Sequence, residues 1–288
     1  FETDGAKNVT DFDLHDFSIG DSYAQALSEA LQASPSIATI NLQSNRLSDK
    51  SMKALSEFLC ANRQVHTVDL SHNSLTAKGL GIFAQVLRPP ASTLMELHLA
   101  ANSLRDRGIQ QLCLSLKGNS VLKLLDVSKN NVGDAGATAL GKLLSTSSCQ
   151  MRELCVSWNN IRSQGAKMLL TGVKNNKTLR TIDFSWNGMG SGLEEPLVVE
   201  LLCRVLSKSK LLHVNVSRNS FTNEALDKCH EAMLSSKHLV SLHMEAKDVS
   251  PIDQQEGGGY SRIRGHDQLP TTTWEYSKHC WMCEQYVL

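Results

Sequence analysis

One frame recurs along most of this chain and leaves few folds open to it. It reads L-x-x-L-x-L-x-x-N-x-L. It is met first as Ile37, Ile40, Leu42, Asn45 and Leu47, and next as Val65, Val68, Leu70, Asn73 and Leu75. The later copies are centred on Asn102, Asn130, Asn159, Asn187 and Asn219. Successive frame asparagines lie 28, 29, 28, 29, 28 and 32 residues apart. Two degenerate copies flank the set, with Phe17 and Lys247 at the asparagine position. Self-similarity at a fixed period of this length is the mark of a stacked repeat protein, and atypical end copies are expected where the stack must be capped.

Each copy has a physical reading. Apolar residues two apart, such as Ile40 and Leu42, make a short strand with one buried face. The asparagine amide offers donors and an acceptor to the turn backbone. The apolar period then turns helical, as in Ala54, Leu55, Phe58 and Leu59, or Leu201, Leu202, Val205 and Leu206. Gly79, Gly108, Gly136 and Gly165 recur at one phase near the helix start, where close packing is expected. Strands stack at about 4.8 Å and helices need about 8–10 Å, so such a stack must curve. The expected fold is α/β: a repeat solenoid, a horseshoe with a parallel concave sheet and convex helices.

Composition narrows the function classes. The 288 residues carry 29 Lys+Arg against 29 Asp+Glu, which argues against a general nucleic-acid binder or a polybasic membrane anchor. No apolar run approaches the roughly 20 residues of a membrane helix. Aromatics are only 5%, as an aliphatic core requires. The eight cysteines are not spaced as a disulfide framework. Cys60, Cys113, Cys203 and Cys229 sit among aliphatic residues in helical segments, so buried free thiols and a reducing compartment are expected. Phe1 in place of Met, and the apolar end Tyr286-Val287-Leu288, lead us to expect a segment of a longer protein.

On these motifs the chain resembles the ribonuclease-inhibitor type of leucine-rich repeat protein, in which 28- and 29-residue repeats alternate as strand plus helix. The resemblance spans about residues 9–250. It implies a cytoplasmic protein with free cysteines that binds other proteins. It also brings in ribonuclease inhibitors, activators of the Ran GTPase, innate immune receptors, and cytoskeletal or ciliary proteins as alternatives. The motif specifies fold firmly and partner hardly at all.

Repeat phase aligns surface positions. Asp126 and Asp183 belong to a row between the buried strand residues, expected to pave the concave face. The row just before each frame asparagine contains Lys129, Trp158, Trp186 and Arg218. Two of four tryptophans fall there in adjacent repeats, about 5 Å apart by strand spacing, with cations on either side. Trp and Arg are the side chains most enriched at interface hot spots. The competing reading is that the rings pack on their neighbours and shield the sheet edge. The long repeat places its extra residues in Gly188–Pro196, a glycine-rich turn feeding a helix. Insertions of this kind often mark a binding edge. No Lys-Ser/Thr follows at phosphate-loop spacing.

After about Ser250 the repeat stops. Residues 251–270 read as a flexible linker, and 271–288 as an aromatic and cysteine tail holding Trp274 and Trp281, which can start a further segment or contact a partner. Cys280-x-x-Cys283 is half a zinc site with no second pair, so no metal is expected. No catalytic set is marked, and no cofactor is implied. The expected function is a non-enzymatic protein–protein interaction scaffold or adaptor, a subunit of a hetero-complex in a cytoskeletal or ciliary assembly. The contacts are Trp158, Trp186, Lys129, Arg218, Asp126, Asp183, Trp274 and Trp281. The alternatives are an enzyme regulator, as inhibitor or small-GTPase activator, and the sensing repeats of an innate immune receptor.

Overall fold

The computed structural model describes residues 10–32, 36–89, 92–244 and 260–263. It forms two compact units, Phe1–Val132 with Thr146–Met151, and Gly133–Ser145 with Arg152–Leu288.

The first unit runs β1 (Asp11–Asp13), α1 (Gly20–Gln32), β2 (Thr39–Asn41), α2 (Met52–Ala61), β3 (Thr67–Asp69), α3 (Ala77–Leu87), β4 (Glu96–His98), α4 (Arg105–Ser115) and β5 (Leu124–Asp126). Its strands pair in parallel, each moved by one repeat: Phe12 faces Ile40, Ile40 faces Val68, Val68 faces Leu97 and Leu97 faces Leu125. The degenerate first copy therefore does form a strand. The second unit runs α5 (Asp134–Leu144), β6 (Glu153–Cys155), α6 (Ser163–Asn175), β7 (Thr181–Asp183), α7 (Glu195–Lys208), β8 (His213–Asn215), α8 (Asn223–Leu234), β9 (Ser241–Met244) and β10 (Tyr260–Ile263). Here Leu154 faces Ile182, Ile182 faces Val214 and Val214 faces Leu242, all in parallel. The long repeat stays in register, so its extra residues are absorbed between strand and helix.

The core follows the frame. Strand centres Ile40, Val68, Leu97, Leu125, Leu154, Ile182, Val214 and Leu242 are buried. The helical stripes meet them, with Leu55, Phe58, Leu59, Leu202, Val205 and Leu206 buried in turn. Frame asparagines work between repeats. Asn73 Nδ2 donates to the carbonyls of Leu42, Leu70 and Ser71, while its Oδ1 accepts the N–H groups of Asn45 and Leu47. Asn102 repeats the scheme on the carbonyls of Leu70, Leu99 and Ala100 and on Leu75 N–H. Phe17 cannot, and it lies exposed.

Glycine permits the closest helix contact. In α6, a Cβ on Gly172 would lie 2.6 Å from Gly141 Cα in α5. Gly165 also meets α5, where a Cβ would lie 2.7 Å from Asp134 Cα, as its place near the helix start leads one to expect.

Two features were not announced by the sequence. Inside the 251–270 stretch read as a linker, Tyr260–Ile263 pairs antiparallel with β9, Tyr260 facing Met244 and Ile263 facing Ser241. Tyr and Ile favour strands, and the pairing covers the edge that β9 would otherwise present. The row between the strand residues also shapes the backbone. Asp69, Asp126, Asp183 and Asn215 each use Oδ1 to accept the N–H two residues on, at 2.7, 2.9, 2.8 and 3.0 Å. These are Asx turns that end the strands.

Candidate protein interface

The row before the asparagine is built by an unusual backbone. Ser44, His72, Ala101, Lys129, Trp158, Trp186 and Arg218 all have φ between 51° and 57°. The left-handed region costs a non-glycine residue about 1–2 kcal/mol. The cost is met because the conformation sends the row's N–H groups into the next repeat. Trp158 N–H reaches Ser185 O at 2.9 Å and Trp186 N–H reaches Ser217 O at 3.0 Å. Nothing in the sequence pattern announces this, since neither Gly nor a run of Asn fills the row.

The geometry aligns the side chains. Trp158 and Trp186 stack with ring centroids 4.0 Å apart and planes 12° from parallel. The guanidinium carbon of Arg218, one repeat on, lies over the Trp186 ring, 5.1 Å from its centroid. The second unit therefore carries a ladder of Trp158, Trp186 and Arg218. The two indoles remain 47% and 40% exposed. Stacking is worth about 0.5–1.5 kcal/mol, which does not exceed the backbone cost of the two positions. Ser44 and Ala101 hold the same conformation with small side chains, so the fold does not require indoles here.

The long repeat closes a turn of its own. Gly188 donates its N–H to Ile161 O, and Ser191 N–H bonds back to Gly188 O, closing the turn. Leu193 is fully exposed on it, and Leu197 is half exposed just inside α7. Pro196 stands in the first turn of α7, as expected for a helix start.

The other expected site residues divide. Lys129 is exposed in the first unit, at the same phase as the ladder. Asp126 is half-buried and Asp183 is buried, each holding its Asx turn. Trp274, Trp281, Cys280 and Cys283 lie outside the described residues. Among the described residues no group of three or more His, Cys, Asp or Glu is placed to hold a metal ion. No helix among them is long and apolar enough to cross a membrane.

A second row escaped the sequence reading. Asp21 accepts from the N–H and hydroxyl of Ser48 at 2.8 and 2.5 Å and from the Ser51 hydroxyl. Asp49 does the same for Thr76 at 2.8 and 2.6 Å, Asp134 for Arg162 N–H and Glu195 for Thr222 N–H. Each carboxylate at a helix start staples the next repeat. For Asp21, Asp49 and Glu195 the signal was a Ser or Thr one repeat after an acid. Burial alone would raise the Asp21 pKa, but the hydrogen bonds from Ser48 and Ser51 outweigh it and hold the carboxyl below its ordinary value.

None of the cysteines among the described residues forms a disulfide. Cys113 and Cys229 are buried as expected, whereas Cys60 and Cys203 are only half-buried, and Cys203 lines a groove of about 780 Å³ beside Lys228 between α7 and α8.

Comparisons with known proteins agree with this architecture. The family profile of the leucine rich repeat matches residues 33–56, 118–141, 147–170 and 175–192. Pig (Sus scrofa) ribonuclease inhibitor is 29% identical over 213 residues, which are 63% of this chain and 46% of that protein. Human (Homo sapiens) NACHT, LRR and PYD domains-containing protein 14 is 26% identical over 246 residues, 84% of this chain and 22% of that protein. The chain spans less than half the length of these curated relatives. Among solved structures, leiomodin-1 actin-binding site 2 matches with a TM-score of 0.45 and 16% identity, covering 55% of this chain and 87% of that one. Leucine-rich repeats imply a protein-interaction scaffold, and the chain is a leucine-rich repeat protein of the ribonuclease-inhibitor type.

Proposed function

We propose that this chain is a non-enzymatic adaptor that docks a protein partner on the tryptophan edge of its second unit. The observation that carries this reading is the ladder itself. Two large aromatic side chains stand stacked, with an arginine over the second, at positions where the same backbone accepts Ser or Ala. Large aromatic and Arg side chains held rigid lose little entropy on binding, which is why they dominate interface energetics. The exposed Leu193 and Leu197 extend the apolar surface, Lys129 of the first unit stands at the same phase, and the tail tryptophans Trp274 and Trp281 form a second contact. Asp126 and Asp183 serve this reading as turn formers that set the strand ends. We place the adaptor in a cytoplasmic hetero-complex of cytoskeletal or ciliary type, for which the zero net charge is the support.

The test is affinity purification from cells with mass spectrometry, comparing wild type with a Trp158→Ala, Trp186→Ala variant of unchanged circular dichroism. Wild type should retain partners that the variant loses. An unchanged partner set removes the reading. A second reading, the repeat region of a NACHT-type receptor, is supported by the similarity to NACHT, LRR and PYD domains-containing protein 14. A NACHT domain encoded upstream in the same transcript would favour it over the adaptor.

A further inference from the structure

We infer that Cys203 and Cys229 form a peroxide-sensitive dithiol, a modification site at which the two thiols close into a reversible disulfide between α7 and α8. The groove between these helices places the pair. Val199 and Ser207, one turn to either side of Cys203 on α7, line it together with Cys203 itself. Ala225 and Ala232, one turn to either side of Cys229 on α8, line the facing wall. The two cysteines therefore sit opposite each other along the groove, and the Cys229 thiol donates a hydrogen bond to the Cys203 sulfur. Cys203 is half-buried and open to the groove, while Cys229 is buried behind it. Thiols already in hydrogen-bond contact have only to close from that reach to bonding distance.

The surroundings divide the roles. The hydrogen bond from Cys229 and the charge of Lys228 favour the Cys203 thiolate against burial and Glu231, although Lys228 also pairs with Glu224 at 2.6 Å. The oxidant is hydrogen peroxide. The Cys203 thiolate attacks one peroxide oxygen, the O–O bond breaks, and the departing hydroxide takes up the thiol proton as water. Cys203 is then a sulfenic acid, oxidised by the two electrons that the peroxide has gained. The Cys229 sulfur next attacks the Cys203 sulfur. The S–S bond forms as the S–O bond breaks, and the Cys229 proton leaves with the hydroxide as a second water. The hydrogen bond directs that proton at Cys203 beforehand. A dithiol reductant reverses the reaction by exchange. The other described cysteines lack one part of this arrangement. Cys113 and Cys149 are both buried, and Cys60 is half-buried but has no second cysteine acting on its thiol.

The test is treatment of the folded full chain with hydrogen peroxide at neutral pH, alkylation of the remaining thiols, and peptide mapping without reduction. A Cys203–Cys229 linked peptide should form at least about tenfold faster than the thiols of Cys60, Cys113 or Cys149 are lost. Dithiothreitol should return both thiols. Cys229→Ala should leave Cys203 as a sulfenic acid that dimedone captures, and Cys203→Ala should leave Cys229 unoxidised at the same dose. The wild-type map needs no variant, so a misfolded substitution does not obscure the pairing. Cys203 joined to any other cysteine, or carried to sulfinic acid while Cys229 stays reduced, overturns the inference. So does a Cys203 that remains a thiol while Cys60 oxidises, or a linkage that appears only as the circular dichroism of the fold is lost.

Discussion

At the scale of single residues, the left-handed row governs both stability and surface. Ala101 occupies it with φ of 52°. Ala101→Gly should stabilise the protein by about 1 kcal/mol, since relief of the left-handed cost exceeds the extra chain entropy of glycine. A higher midpoint in urea with unchanged slope is the check. Asn102 is the opposite case. Its amide serves three carbonyls and one N–H, and Asn102→Ala should cost about 3 kcal/mol, because buried backbone groups are left without partners. The thiols differ by environment. Burial pushes Cys113 up to about 12. A hydrogen bond from the Cys229 thiol, with Lys228 nearby, lowers Cys203 despite its partial burial. In the folded protein, iodoacetamide at neutral pH should therefore modify Cys203 well before Cys113 or Cys229, as read by peptide mass mapping. Equal rates would show that the thiols report unfolding instead.

At the scale of elements, helix contact and inter-repeat staples decide the outcome. Gly141 and Gly172 bring α5 and α6 to backbone contact. Gly172→Ala should destabilise by about 3 kcal/mol, because backbone, unlike a side-chain end, cannot give way. The strands and helical stripes were legible in the sequence because period two and the helical period sit in one phase through the copies, so Ile40 and Phe58 could be placed as core without coordinates. The glycine contact was not legible, since a lone Gly inside a helix does not say what it faces. The carboxylate staples were hidden for a similar reason: Asp21 and Ser48 are 27 residues apart, and only the stack makes them neighbours. The Asp21 carboxyl is held low when folded and rises to its ordinary value when unfolded. Its contribution is therefore full above about pH 4 and is lost as pH falls through the lower, folded value. Asp21→Asn should flatten the loss of thermal stability below about pH 4, followed by circular dichroism. An unchanged slope would assign acid sensitivity to other carboxylates.

At the scale of the whole molecule, the repeat count was readable but the ends were not. The degenerate first copy still makes β1, because strand formation needs Phe12 and not the asparagine. The stretch after Ser250 carries no repeat phase, and its Gly257-Gly258-Gly259 run concealed the strand that follows. In an antiparallel pair one of two successive residues donates to the partner. Ser261→Pro with Arg262→Pro should therefore detach β10, speed hydrogen exchange at Ser241–Met244, and leave the exchange of β6 and β7 unchanged. The tryptophan row was legible as a row, and its spacing came close to the 4.0 Å observed. Its left-handed backbone and the orientation of Arg218 were not, because they depend on hydrogen bonds to the next repeat. The ladder is thus a product of the stack: no single repeat contains it. The most direct measurement is isothermal titration of a partner recovered by affinity purification, comparing wild type, Trp158→Ala with Trp186→Ala, and the exposed helix substitution Leu114→Ser. Two hot-spot side chains at about 2 kcal/mol or more each predict at least a hundredfold weaker binding for the double variant and no change for Leu114→Ser. Unchanged affinity in the double variant, with a loss in Leu114→Ser, would contradict the account and move the interface to the helices.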